Sequence, residues 1–180
     1  KKVTNMKGMF RGTASSEDKF NGNISNWNTS NVTTMEQMFN YAQSFNRQIG
    51  EKVVQLKDSA GKDFGDPYTA WDLQSISKMS GMFNQAISFN NGVDNSAEDV
   101  NNVGNPLKFT FREEFTFSGS NNVKTDSMFA EATAFNCPIY HWKNTGSIVY
   151  AFTMFQGASK FNQEIRTWDV TSLFSPNNTN

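Results

Sequence analysis

One motif recurs five times in this chain, and that recurrence restricts the fold more than any other feature. It reads Met-Phe, two residues, a small residue, two more, Phe-Asn, and an aliphatic residue three places on, with Trp following. Met38-Phe39, Ala42, Phe45-Asn46 and Ile49 carry it, as do Met82-Phe83, Ala86, Phe89-Asn90 and Val93. Met128-Phe129, Ala132, Phe135-Asn136, Ile139 and Trp142 repeat it, and so do Met154-Phe155, Ala158, Phe161-Asn162, Ile165 and Trp168. The first copy runs from Met9-Phe10 to Phe20-Asn21, Ile24 and Trp27 across an insertion at Ser15-Ser16-Glu17-Asp18. A fixed period of about 25 residues means one supersecondary unit stacked on itself.

The 180 residues suffice for about seven such units. Net charge is −1 and the cations are dispersed, which argues against nucleic acid and anionic lipid as partners. Mean hydropathy is −0.60, and no apolar run reaches bilayer-spanning length, so no direct membrane insertion of this segment is expected. The chain starts at Lys1-Lys2 inside a repeat, as expected for a piece of a longer protein whose leader or anchor lies elsewhere. Cys137 is the single cysteine, which leaves no internal disulfide and no cysteine-based zinc cluster. With 17 Phe and 8 Met, the core must be built from benzyl groups and thioethers.

Within the unit 27–49, the polar run Trp27-Asn28-Thr29-Ser30-Asn31 predicts a turn and a helix cap. Val32, Met35, Met38-Phe39 and Ala42 then recur at steps of three and four, which predicts a short helix held by packing. Phe45 to Ile49 reads as a strand too short to persist unless it pairs in parallel with its counterparts. The expected fold is an α/β repeat solenoid, a right-handed coil of short parallel strands and short helices. The Asn row (Asn21, Asn46, Asn90, Asn136, Asn162) is either a ligand-binding line or a structural ladder that satisfies backbone groups; the ladder is preferred. The Trp row is likewise read as buried corners before it is read as a ligand platform.

Two stretches break the spacing. Phe64, Tyr68 and Trp71 in one, and Phe111 and Phe115 in the other, reproduce fragments of the motif. They are read as degenerate coils (50–70 and 94–122) between regular units 3–24, 27–49, 71–93, 123–139 and 142–165, with a partial coil at 168–174. This reading requires Phe64 and Phe111 to align with Phe45, Phe89 and Phe135. Leu107, Phe109, Phe111, Phe115 and Phe117 alternate with polar residues and predict a longer strand or hairpin. Irregular coils are where repeat proteins place distinctive surface, so Tyr68, Trp71, Phe109, Arg112 and Phe117 form the candidate ligand surface.

The run from Asn28 to Asn46 resembles the repeat of mycoplasma-type surface lipoproteins, a domain of unknown function related to BspA-like leucine-rich repeat surface proteins. That resemblance covers most of the chain. It implies a leucine-rich-repeat-like solenoid at the cell surface or secreted, anchored through another part of the protein. It also implies roles in adhesion, host-protein binding or antigenic variation, and brings no catalytic residues. The chain departs from the pattern at the two irregular stretches, at the missing Trp before Val123, and at Asp126, which stands where the second apolar helix position is expected.

Catalytic signals are weak. His141 lies four residues from Cys137 on one expected strand, which favours an incidental pair over a nucleophile and base. Glu113-Glu114 and Glu98-Asp99 are sequence neighbours that a strand would point to opposite faces, and Asp94, Glu98 and Asp99 lack ordered calcium-ligand spacing. Phosphate-binding and nucleophile-elbow glycine motifs are absent from the sequence. The expectation is a non-enzymatic surface interaction module without cofactor or metal. Its partner would be a host or cell-surface protein, with glycan binding and a structural or antigenic spacer as alternatives.

Overall fold

Each Met-Phe segment is a run of tight turns, because its amides are divided between two tasks. The computed structural model describes residues 2–13, 19–93, 103–112 and 122–174. In the second repeat, the amides of Met38, Asn40 and Ala42 bond back to the carbonyls of Met35, Gln37 and Phe39, closing successive turns. The alternate amides of Met35, Gln37, Phe39 and Tyr41 donate to Lys78, Ser80, Met82 and Asn84 of the third repeat. An α-helix would require every amide to bond four residues back, and here every second amide is committed to the neighbouring repeat.

The same division recurs at each junction. Met6, Gly8, Phe10 and Gly12 donate to Thr34, Glu36, Met38 and Asn40; Met79, Gly81, Phe83 and Gln85 donate to Lys124, Asp126, Met128 and Ala130. Thr125, Ser127, Phe129 and Glu131 donate to Tyr150, Phe152, Met154 and Gln156. The turns need a left-handed third residue, and Gly8, Gln37, Gly81, Ser127 and Thr153 all have φ between 53° and 62°.

The expected α/β solenoid is therefore overturned. Among the described residues there is no α-helix; helical structure is limited to 3-10 turns at Thr145–Ser147 and Thr171–Phe174. In place of a continuous parallel sheet, the described residues form two two-stranded sheets. β1 (Lys52–Val54) pairs antiparallel with β2 (Tyr68–Ala70), and β3 (Val123–Lys124) pairs parallel with β4 (Ile148–Tyr150). Elsewhere the repeats meet through isolated parallel bridges, Asn5 to Thr34, Thr34 to Lys78 and Lys78 to Lys124. The helical spacing of Met35, Met38 and Ala42 is satisfied by three-residue turns, which also return side chains to one side.

Those bridges also correct the count of seven coils. The second repeat touches the third directly, and the third touches the fourth, with no intervening layer. Phe64 is 51% exposed and so does not align with Phe45, Phe89 and Phe135. Phe111 packs instead on Phe109 and Trp142. Stretch 50–70 is an excursion containing β1 and β2, and residues 107–111 are an extended segment against Lys143 and Leu73. Thr125, not Asp126, occupies the Met35 position, where its hydroxyl donates to Tyr150 O at 2.9 Å. Asp126 Oδ1 accepts the amide of Phe152 at 3.0 Å.

The core is two columns of stacked rings. Phe10, Phe39, Phe83, Phe129 and Phe155 follow one another at centroid spacings of 5.2–5.7 Å. Phe20, Phe45, Phe89, Phe135 and Phe161 follow at 5.5–6.1 Å. Within each repeat the two rings stack face to face, at 4.1 Å for Phe39 on Phe45 and 3.9 Å for Phe129 on Phe135. Such pairs contribute about 0.5–1.5 kcal/mol beyond their buried area. The Trp residues bridge repeats: the indole N–H of Trp71 donates to Ile24 O, that of Trp142 to Leu107 O and that of Trp168 to Ile139 O.

Candidate functional site

The excursion from the second repeat begins where Gly50 lets two backbones meet. Gly50 has φ +131°, and a Cβ there would lie 3.2 Å from the backbone nitrogen of Lys108. This close approach lets the amide of Glu51 donate to Lys108 O at 2.9 Å. The chain then runs out through β1 and returns through β2 as a hairpin. Asp58 builds its tip: Oδ1 accepts the amides of Ala60 and Lys62, and Gly61 takes φ +79°. Tyr68 ties the base to the first repeat, its hydroxyl donating to Asn26 O at 2.6 Å.

Three apolar side chains of this hairpin are exposed, Val53 in β1 and Leu56 and Phe64 below a charged tip. Lys57 bridges antiparallel to Asp63, which places Leu56 opposite Phe64, and the amide of Phe64 donates to Leu56 O at 3.0 Å. Val53 is 76% exposed, and Leu56 and Phe64 are exposed with it. Lys57 and Asp63 also form an ion pair at the tip. A two-stranded hairpin is marginal alone in water, and an exposed aliphatic–aromatic cross-strand pair gains little until something covers it.

The candidate ligand residues do not come together. Trp71 and Phe109 are fully buried; they belong to the core, because the Trp71 indole is held by Ile24 O and Phe109 lies 5.4 Å from the Trp142 ring. Tyr68 is half-buried with its hydroxyl engaged, and Arg112 is partly exposed. Phe117 lies outside the described residues, as do Phe115, Glu113-Glu114, Asp94, Glu98, Asp99 and the insertion at Ser15-Ser16-Glu17-Asp18. Val53, Leu56 and Phe64 went unnoticed in the sequence as surface. The signal available was the turn chemistry of Asp58-Ser59-Ala60-Gly61 between two extended runs.

The Asn row bonds from repeat to repeat. Asn21 Oδ1 accepts the amide of Asn46 at 3.0 Å, Asn46 Oδ1 that of Asn90 at 2.8 Å, Asn90 Oδ1 that of Asn136 at 3.0 Å, and Asn136 Oδ1 that of Asn162 at 3.0 Å. A polar groove of about 270 Å³ runs beside it, lined by Asn23, Asn46, Arg47 and Asn105 among others. A neighbouring cleft of about 250 Å³ is lined by Ser25, Gln48, Glu51, Lys52 and Lys108 among others. Neither lining includes an aromatic ring.

Burial pushes the Cys137 thiol far above the ordinary thiol range, against a smaller lowering from the backbone of Asn136. The thiol is therefore protonated, and it faces Asn90 Oδ1 at 3.5 Å. His141 packs on the ring of Tyr140, 4.0 Å between centroids. Among the described residues, no group of three or more His, Cys, Asp or Glu could hold a metal ion, and no helix is long and apolar enough to cross a membrane.

Comparison with curated proteins and with solved structures yields no match. A family model matches twice, over residues 1–119 and again over 60–179, overlapping spans of the kind an internally repeated chain produces. Together these matches take in nearly all of the ring columns and turn segments described above, and the chain belongs to the family described as Mycoplasma protein of unknown function, DUF285.

Proposed function

We propose that this chain is a cell-surface interaction module that binds a protein partner through the hairpin 52–70. The observation that carries this reading is the exposure of Val53, Leu56 and Phe64 on an excursion whose base, through Val54, Tyr68 and Ala70, packs on the repeat core. The stacked repeats hold the root of the hairpin through Gly50, Glu51 and Tyr68, so the strands are presented on a fixed base. Placement at the cell surface rests on the repeat's resemblance to mycoplasma-type surface lipoproteins and BspA-like surface proteins. Glycan binding is the second reading: neither polar groove beside the Asn row contains a ring, but Trp27 lines an open cleft of about 570 Å³ with Asn26, Asn28 and Asn31.

The test is a screen of the purified chain against an array of host extracellular proteins and, in parallel, a glycan array. The expected outcome is binding to a protein, reduced at least tenfold by Val53→Asp with Phe64→Asp and left unchanged by Ile87→Asp, a substitution at an exposed aliphatic residue elsewhere. Binding that the hairpin double variant leaves intact overturns the assignment of this surface. Binding confined to glycans overturns the protein-partner reading.

A further inference from the structure

The departure of the hairpin from the second repeat leaves a cleft in the flank of the stack, and we infer that this cleft binds an acidic sugar, one anionic group among hydroxyls. The cleft lies inside the row of repeats. Ser25 of the first repeat stands on one side, Pro106 and Lys108 of the extended segment on the other, and residues 48–52 of the second repeat between them. Its volume is about 250 Å³. Sites for drug-sized ligands run to about 300–1,000 Å³, so the occupant here is small, of the order of one sugar residue. Backbone bonds fix the walls: the amide of Ile49 donates to Asn91 Oδ1 at 2.8 Å, and that of Glu51 to Lys108 O at 2.9 Å.

Two ammonium groups and one carboxylate line the cleft. Lys52 is held across it, its Nζ donating to Ser25 Oγ at 3.1 Å, and the ammonium keeps further protons to donate. Lys108 is exposed, and neither lysine pairs with a carboxylate among the described residues. Glu51 supplies the carboxylate. The Thr110 hydroxyl donates to its Oε2, which leaves Oε1 to accept from a ligand. The exposed side-chain amide of Gln48 offers both a donor and an acceptor. The adjoining groove shares Ser25 and Gln48 and adds Arg47, whose Nε donates to Asn21 O at 2.8 Å.

This set of groups discriminates among ligands. A neutral sugar finds no ring to stack on in either groove, and its hydroxyls only exchange water for exposed protein groups, a small net gain. An acidic peptide brings several carboxylates, and each one beyond the first meets Glu51 as a like charge. A sugar with one carboxylate or sulfate sets that anion against Lys52 and Lys108, whose compact ammonium groups suit a point charge. Its hydroxyls then donate to Glu51 Oε1 and exchange hydrogen bonds with Gln48. The site makes no use of Val53, Leu56 or Phe64, so it stands apart from the hairpin surface proposed above.

Titration of the isotope-labelled full chain, followed by NMR of its amides, tests this. The probes are methyl glucuronide, a glucose sulfate ester, methyl glucoside and a short poly-aspartate peptide. The glucuronide, the sulfate ester or both are expected to shift Gln48, Gly50, Glu51, Lys52 and Lys108, with binding that weakens as NaCl is added. Which of the two binds tells carboxylate from sulfate. Lys108→Ala removes an exposed side chain outside the core and is expected to weaken the acidic sugar at least fivefold. Lys62→Ala, an equal change of charge at an exposed position of the hairpin, is expected to leave it unchanged. The inference is overturned if neither acidic sugar shifts these residues, if the neutral glucoside binds as tightly, or if the two lysine variants lose affinity equally. A peptide that binds this cleft more tightly than both acidic sugars overturns it too, and assigns the cleft to acidic protein segments.

Discussion

Asn90 shows how one side chain can hold two repeats together. It is fully buried, and its Oδ1 accepts the amide of Asn136 while its own amide donates to Asn46 Oδ1. Gly104 completes the site: a Cβ there would lie 2.7 Å from both the Asn90 carbonyl oxygen and Cys137 Sγ, so only glycine lets that backbone approach. Asn90→Ala removes the acceptor and leaves the Asn136 amide buried without it, which costs about 1–3 kcal/mol. Asn21→Ala removes an acceptor from a more exposed amide that water can satisfy, and should cost less than about 1 kcal/mol. Urea unfolding of the two variants measures the difference, and equal costs would mean that the row is not a buried ladder. The row itself was legible in the sequence as a regular Asn after each Phe. The Gly104 contact was not, because it joins segments distant in sequence and nothing local marks it.

At the level of elements, sequence spacing misled for a definite physical reason. Apolar residues at steps of three and four describe an α-helix, but overlapping turns, each bonding three residues back, bury Met35, Met38 and Ala42 together equally well. The discriminating signal was present: Gly8, Gly81 and Gly157 interrupt the supposed helices, and glycine inside a helix is unfavourable by about 1 kcal/mol. Those glycines sit at positions of φ +61°, +62° and +70°. The Phe columns, by contrast, were legible, because ring stacking between repeats needs only a constant interval between like residues. The hairpin 52–70 was not, since resemblance of Phe64, Tyr68 and Trp71 to the motif masked a turn sequence. Thr153 offers a test of the turn geometry. It is β-branched with φ +54°, a conformation that costs an L-residue roughly 1–2 kcal/mol. Glycine removes that strain but loses roughly 0.5–1 kcal/mol of unfolded-state entropy and an exposed hydroxyl contact with Ser127. Thr153→Gly should therefore be neutral or stabilising by up to about 1 kcal/mol in thermal unfolding. A clear loss of stability would contradict a left-handed turn residue at this position.

Across the whole molecule, each repeat bonds to its neighbours in sequence order, so stability should depend on position along the row. Phe39, Phe83 and Phe129 have rings of adjacent repeats on both sides, and all three are fully buried. Phe10 and Phe155 stack on an adjacent repeat's ring on one side only and are half-buried. Replacing a fully buried Phe with Ala costs about 3–5 kcal/mol. Phe83→Ala should fall in that range, while Phe10→Ala and Phe155→Ala should cost about half as much. Denaturant unfolding of the three variants reads this profile directly. A flat profile along the column would contradict position-dependent stacking, because internal rings lose two stacking neighbours and end rings only one.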